Sequence, residues 1–265
     1  MKLIMASRFV VLTLAVIRSV NVLASGIDPE VEACIRKNAP EASAIQHIRL
    51  RSEGPMFEEK VLTATVYWKH FPTGTSNLLA VFDEPEDISG SRLLFLEKQS
   101  GNEIYLYMPA LFKVRRITSG RISSSMYGMD FSYEDFQWLY NMLSTAVSEQ
   151  RPDGEIEGEP MYVLAVMPTE EKSKYQSILS YFDKKSCVIR KVEFYEDGGE
   201  LRKLLLVEPG SVKPVNGILV PHAFLMRDLK KHSETELTVT AMEVDPPIAD
   251  AVFDPARLKD SRDIE

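Results

Sequence analysis

Catalysis needs side chains that can move a proton, hold a metal or attack an electrophile, and in these 265 residues such side chains are scattered. The four histidines, His47, His70, His222 and His232, make neither an HExxH pattern nor any paired-ligand spacing. Asp83, Glu84, Glu86 and Asp87 crowd around Pro85, a composition that turn chemistry explains better than acid–base work or Ca²⁺ binding. There is no G-x-S-x-G elbow and no P-loop, and neither Cys34 nor Cys187 has a neighbouring motif that would mark a nucleophile. The expectation is a binding protein and not an enzyme, with no catalytic residue, metal or cofactor.

The residues that do stand out are cationic. Lys113, Arg115, Arg116 and Arg121 lie between Ile104 and Met129 with no acidic residue among them, although the chain carries 31 Lys and Arg against 39 Asp and Glu. Two readings are open: basic residues that keep a strand edge from pairing, or a docking surface for an acidic partner or an anionic lipid headgroup. The overall acidity argues against nucleic acid as a partner.

Elements must position whatever binds. Ser132-Tyr133-Glu134-Asp135 has capping-box spacing, and Phe131 with Phe136 can form a hydrophobic staple, so a helix is predicted to start here and run to Leu143. Phe136, Leu139, Tyr140 and Leu143 share one face, while Trp138 and Met142 widen the apolar surface. Such a helix is either wedged in a core or laid as a lid over an apolar cavity. The loop before it, Ser119 to Met129, mixes Gly and Ser with Met126, Tyr127 and Met129, and methionine adapts to irregular space.

Most of the remaining chain follows strand grammar. Leu62, Ala64, Val66 and Trp68 alternate with Thr63, Thr65 and Tyr67, and short apolar runs separated by turn signals continue to Val244. About eleven strands in sequence favour a large curled antiparallel sheet or barrel. With no repeat and no long linker, one domain over residues 25–265 is the expectation.

The first 24 residues read separately. Lys2 and Arg8 precede an apolar run from Phe9 to Ile17, and Val22 and Ala24 put small residues at the positions a signal peptidase reads. Cleavage is expected between Ala24 and Ser25, leaving 28 basic and 39 acidic residues in a soluble exported product. Cys34 and Cys187 would then face an oxidising compartment, where a bridge between them would close a long loop. Without a bridge, Cys34 reads as a small buried hydrophobe in a first helix with Val31 and Ile35.

Pro85, Asp87-Ile88-Ser89-Gly90-Ser91, Leu93-Leu94, Leu106-Tyr107-Met108-Pro109-Ala110-Leu111, Val114-Arg115-Arg116-Ile117 and Gly128-Met129-Asp130-Phe131-Ser132-Tyr133-Glu134-Asp135 together resemble the LolA-like outer-membrane lipoprotein-sorting proteins. Tyr105 and Met108 depart from that pattern, where Trp and Leu are usual, yet keep it apolar. The resemblance implies an α+β, mainly β fold: a curved, incomplete antiparallel barrel with a helical lid, enclosing a hydrophobic cavity for acyl chains and carrying out no catalysis. It implies a periplasmic carrier that shields a lipoprotein's acyl chains, or another lipid, between an inner-membrane transporter as donor and an outer-membrane acceptor. A lipid-sensing or accessory subunit of an envelope system is the alternative. The cavity lining is expected from Leu62, Ala64, Val66, Trp68, Leu94, Leu96, Tyr105, Tyr107, Met126, Met129, Phe131, Phe136, Leu139 and Tyr140, and partner docking from Lys113, Arg115, Arg116 and Arg121.

Overall fold

The computed structural model describes residues 26–55, 57–98, 100–140, 147–169 and 173–260. The expected signal peptide and its junction at Ser25 lie outside the described residues, as do Met142 and Leu143 at the end of the expected helix.

A short helix, α1 (Pro29–Arg36), opens the described chain; Asp28 caps it by accepting the Glu30 N–H at 2.8 Å, and Pro29 fills the first helical position. Six strands follow as a meander: β1 (Ser43–Gly54), β2 (Phe57–His70), β3 (Ser76–Glu84), β4 (Arg92–Leu96), β5 (Glu103–Met108) and β6 (Lys113–Ile117). After helix α2 (Tyr133–Leu139) comes a second meander, β7 (Val147–Ile156), β8 (Glu159–Met167), β9 (Tyr175–Asp183), β10 (Ile189–Glu196) and β11 (Glu200–Val207). A separate hairpin, β12 (Val212–Val215) with β13 (Ile218–Pro221), precedes β14 (Ala223–Asp228) and β15 (Ser233–Val244).

Thirteen of these strands make one curved antiparallel sheet in the order β6-β5-β4-β3-β2-β1-β15-β14-β11-β10-β9-β8-β7. The two meanders are joined where β15 returns to pair with β1, and β6 and β7 stand at opposite edges, so the sheet does not close. This is the expected curved, incomplete antiparallel barrel, with a helix laid across it.

The described residues form fifteen strands where about eleven are expected. β6 and β7 are largely exposed edge strands whose polar residues hide the alternation, and β12 contains Pro214. The apolar run from Ile218 to Met226, which reads from the sequence as one strand, divides at Pro221 and His222 into β13 and β14.

The topology also dictates what covers the sheet. β6 and β7 stand at opposite edges, and residues 118–140, which follow β6, lie across one face of the sheet. That face, called inner below, holds the main apolar core. The opposite, outer face of β2 to β5 is covered by the segment after β15, through Ile248, Phe253 and Leu258.

Candidate functional site

Residues directly opposed across a ladder share a face, so register carries the inner face through the sheet. From β2, Ala64 pairs with Phe82 and Val66 with Ala80; Leu78 then pairs with Phe95, and Phe95 with Ile104. In the other direction Ala64 pairs with Ile48, Ile48 with Val239, Leu237 with Phe224, Met226 with Leu205, and Leu205 with Val192. These side chains pack into one apolar cluster that includes Leu62, Ala64 and Val66, with Trp68 half-buried against it.

Four residues expected in that lining stand elsewhere. Leu94, Leu96, Tyr105 and Tyr107 face outward and pack with Ile248, Phe253 and Leu258, while Leu93, Phe95, Ile104 and Leu106 take the inner positions. The reason is local: all five residues of β4 are buried, and the unbroken apolar run Leu93 to Leu96 within it offers no alternation from which to read its phase.

The crossing segment occupies the inner face. Met126, Met129, Phe131 and Phe136 are each no more than 2% exposed and belong to the same cluster as the strand residues. Gly128 (φ 81°) turns the segment where a Cβ would stand 2.6 Å from Lys60 Nζ. The helix starts as its sequence specifies: the Asp135 N–H donates to Ser132 Oγ at 3.2 Å, and the Ser132 N–H donates to Asp135 Oδ2 at 2.7 Å. Phe131 and Phe136 lie with ring centroids 5.7 Å apart, and Phe136 stacks on Tyr140 at 6.3 Å. Leu139 packs against the cluster, Trp138 meets Phe194 edge-on at 5.6 Å, and the Tyr140 hydroxyl donates to Gln46 Oε1 at 2.7 Å.

A buried polar anchor, missed at the sequence level, fixes this cover to the sheet. Lys203 on β11 points inward with Leu205 and Val207, and its ammonium donates to Asp135 Oδ2 at 2.6 Å and to the Asp130 carbonyl at 2.7 Å. Asp135 also accepts the Tyr175 hydroxyl at 2.7 Å, so a single carboxylate caps the helix, neutralises a lysine and binds β9. The Asp130 carboxylate accepts the hydroxyls of Ser233 and, at 2.8 Å, Thr235 on β15. Burial, followed by the neighbouring Asp135 carboxylate, holds the Tyr175 hydroxyl well above its ordinary pKa. Burial alone raises that of Tyr140. The sequence signal was the phase of Lys203, which alternates in register with Leu205 and Val207 and is therefore inward-facing.

The expected basic patch is split. Register places Lys113 and Arg115 on the side of Ile117, which packs inward, whereas Arg116 lies on the side of Val114, which packs outward. Arg116 pairs with Glu103 at 3.0 Å; Lys113, Arg115 and Arg121 are exposed and form no ion pair among the described residues. The histidines stay apart, His47, His70 and His222 each making a hydrogen bond near 3 Å to Thr65, Ser76 and the Val220 carbonyl respectively. A cavity of about 550 Å³ is lined by the outward-facing Leu206, Leu225, Arg227, Glu236 and Thr238 among others, and reaches Phe224 at the margin of the inner cluster.

Comparison with known proteins follows the architecture. A family model described as that of an uncharacterized protein matches residues 74–260. None of the curated proteins compared with the chain matches it. Among solved structures, a domain from Vibrio parahaemolyticus described as an outer membrane lipoprotein-sorting protein is 23% identical, with a TM-score of 0.77 over 87% of this chain and 97% of that one. A DUF1329 family protein from Desulfovibrio piger is 19% identical, with a TM-score of 0.77 over 88% of this chain and 99% of that one. A LolA superfamily protein from Nitrosomonas europaea is 20% identical, with a TM-score of 0.67 over 85% and 96%. At these identities the likeness establishes the shared fold.

Proposed function

This chain belongs to the family whose model spans residues 74–260 and has the LolA-like fold, and from that premise we propose that it is a non-enzymatic periplasmic carrier of acyl chains. Its cargo is a lipoprotein or another lipid, taken from an inner-membrane donor and delivered to an outer-membrane acceptor. In this reading residues 1–24 are a cleaved signal peptide, and residues 25–265 are a single lipid-binding domain.

The observation that carries the proposal is the filling of the inner face. An apolar sheet surface is covered by a segment with its own helix start, and that segment fills it with two methionines and two phenylalanines. Methionine and aromatic side chains are replaceable by a flexible hydrocarbon of similar character. Each methylene buried is worth about 0.8 kcal/mol, so one acyl chain offers on the order of 10 kcal/mol toward displacing the cover. The Lys203–Asp135 anchor opposes that displacement and makes the empty protein close again. Lipid would contact Leu62, Ala64, Val66 and Trp68 on the sheet and Met126, Met129, Phe131, Phe136, Leu139 and Tyr140 on the cover. Trp68 Nε1 is buried without a hydrogen-bond partner among the described residues, a donor suited to an ester carbonyl of the cargo.

Mass spectrometry of organic extracts from gently purified protein should find co-purified lipid. Addition of a fatty acid to delipidated Trp138→Phe protein, which leaves Trp68 as the reporter, should shift the emission. Transfer of a labelled lipopeptide between vesicles then separates a carrier from a sensor. Absence of lipid, together with an unchanged spectrum at saturating fatty acid, would refute acyl binding.

A further inference from the structure

The β5–β6 connection ends in a feature that folding alone does not require. Leu111 is 53% and Phe112 80% exposed, adjacent to one another at the apex of a hairpin on the free edge of the sheet. Phe112 holds a left-handed backbone (φ 46°), a conformation that favours glycine or asparagine and is costly for a bulky aromatic residue. The turn is nevertheless closed, with the Phe112 N–H donating to the Pro109 carbonyl at 3.0 Å, so both side chains are presented on a rigid support. Lys113 and Arg115 follow them on β6 and Arg121 comes beyond its far end, all three exposed and without an ion pair among the described residues. No acidic residue occurs between Ile104 and Met129 in a chain of net charge -8.

We propose that the Leu111–Phe112 tip, backed by Lys113 and Arg115 on β6 and by Arg121 beyond that strand, docks this protein onto a bilayer bearing anionic phospholipid. An aromatic and an aliphatic side chain sit at the headgroup boundary, and cations just behind them meet lipid phosphates. Charge complementarity selects this occupant. The rest of the acidic protein is repelled by the same surface, so the field orients the molecule with this edge toward the membrane. The proposal does not depend on what the inner face binds, because the tip lies outside the inner cluster.

The test is co-sedimentation of the exported protein with vesicles of phosphatidylcholine alone and of equal parts phosphatidylglycerol and phosphatidylcholine. Binding should favour the anionic vesicles and weaken at high salt. Leu111→Ser/Phe112→Gly, which also relieves the backbone at position 112, should keep the melting temperature and lower vesicle affinity by about tenfold or more. Lys113→Ala/Arg115→Ala/Arg121→Ala should lower it by roughly a hundredfold on anionic vesicles. Emission from Phe112→Trp in a Trp68→Phe/Trp138→Phe background should move to the blue when anionic vesicles are added. Equal binding to both vesicle types, unchanged binding by the tip variant, or a tip that instead drives dimerisation or binds only an acidic protein would overturn the proposal. Fatty-acid binding by the same tip variant reports separately on the inner face.

Discussion

At the scale of single residues, two side chains should report how the cover is held. Phe136 is 2% exposed and touches Phe131 and Tyr140, so Phe136→Ser should cost about 3 kcal/mol or more through lost transfer energy and the space left behind. If the cover moves as a gate, much of that loss falls on closure, and affinity for a fatty-acid probe changes while the sheet stays folded. A large fall in melting temperature with unchanged probe affinity for the folded fraction would make Phe136 plain core. Lys203 is 6% exposed, and Lys203→Met would leave the Asp135 carboxylate buried without its cation. Breaking one partner of such a pair costs about 3–5 kcal/mol, whereas replacing both by apolar groups is often near neutral. Denaturant unfolding of Lys203→Met should show the larger loss unless the cover detaches first, in which case the probe binds more tightly.

At the scale of elements, the cover is lined with tyrosines whose hydroxyls are held protonated. Burial is the first cause in each case: it pushes Tyr127 up to about 12 and raises Tyr133, Tyr140 and Tyr175 above the ordinary value of 10.0. A folded-state pKa above the unfolded one gives stability that is fully present below the unfolded value, here pH 10, and lost as pH rises through the raised values. Stability should therefore hold to about pH 10 and then fall, with a smaller slope in Tyr140→Phe/Tyr175→Phe. Tyrosinate absorbance followed alongside denaturant midpoints checks this; a slope unchanged in the double variant would remove these two hydroxyls from the effect. The same elements show what the sequence makes legible. The start of α2 was readable because a capping box and staple are written within six residues, and β2 because its alternation is clean. The phase of β4 was not, since five consecutive buried residues carry none, and β6 and β7 were not, since their largely exposed polar residues hide the alternation. The anchor escaped because Lys203 and Asp135 are 68 residues apart, and only the register of β11 brings them together.

At the scale of the whole molecule, an open sheet of two meanders needs fastening beyond the β1–β15 ladder that joins them. The crossing segment is one such tie, and α1 is another. Cys34 on α1 is bonded to Cys187 in the turn between β9 and β10, a separation of 153 residues, so the bridge forms and Cys34 is not a free buried thiol, although it is buried on the first helix as expected. The same helix reaches the second meander through the Tyr162 hydroxyl, which donates to Glu30 at 2.8 Å. Asn38 adds its amide, which donates to the Ser186 carbonyl at 2.8 Å, and its side-chain oxygen, which accepts the Leu219 N–H at 3.0 Å. The bridge thus links the segment preceding the first meander to the far half of the sheet. Constraining a loop of this length in the unfolded chain is worth about 5 kcal/mol in the entropy model, with about 2–5 kcal/mol typical when a native bridge is removed. Cys34→Ser/Cys187→Ser should lose stability in that range, and dithiothreitol should lower the midpoint of the unmodified protein to the same value. Neither α1 nor the bridge contributes a side chain to the inner cluster or to the anchor, so fatty-acid affinity of the folded variant should be unchanged. Equal midpoints with and without the bridge would mean that the hydrogen bonds of α1 alone fasten the two halves. A loss of affinity at full folding would mean instead that the bridge holds the sheet at the curvature its cargo requires.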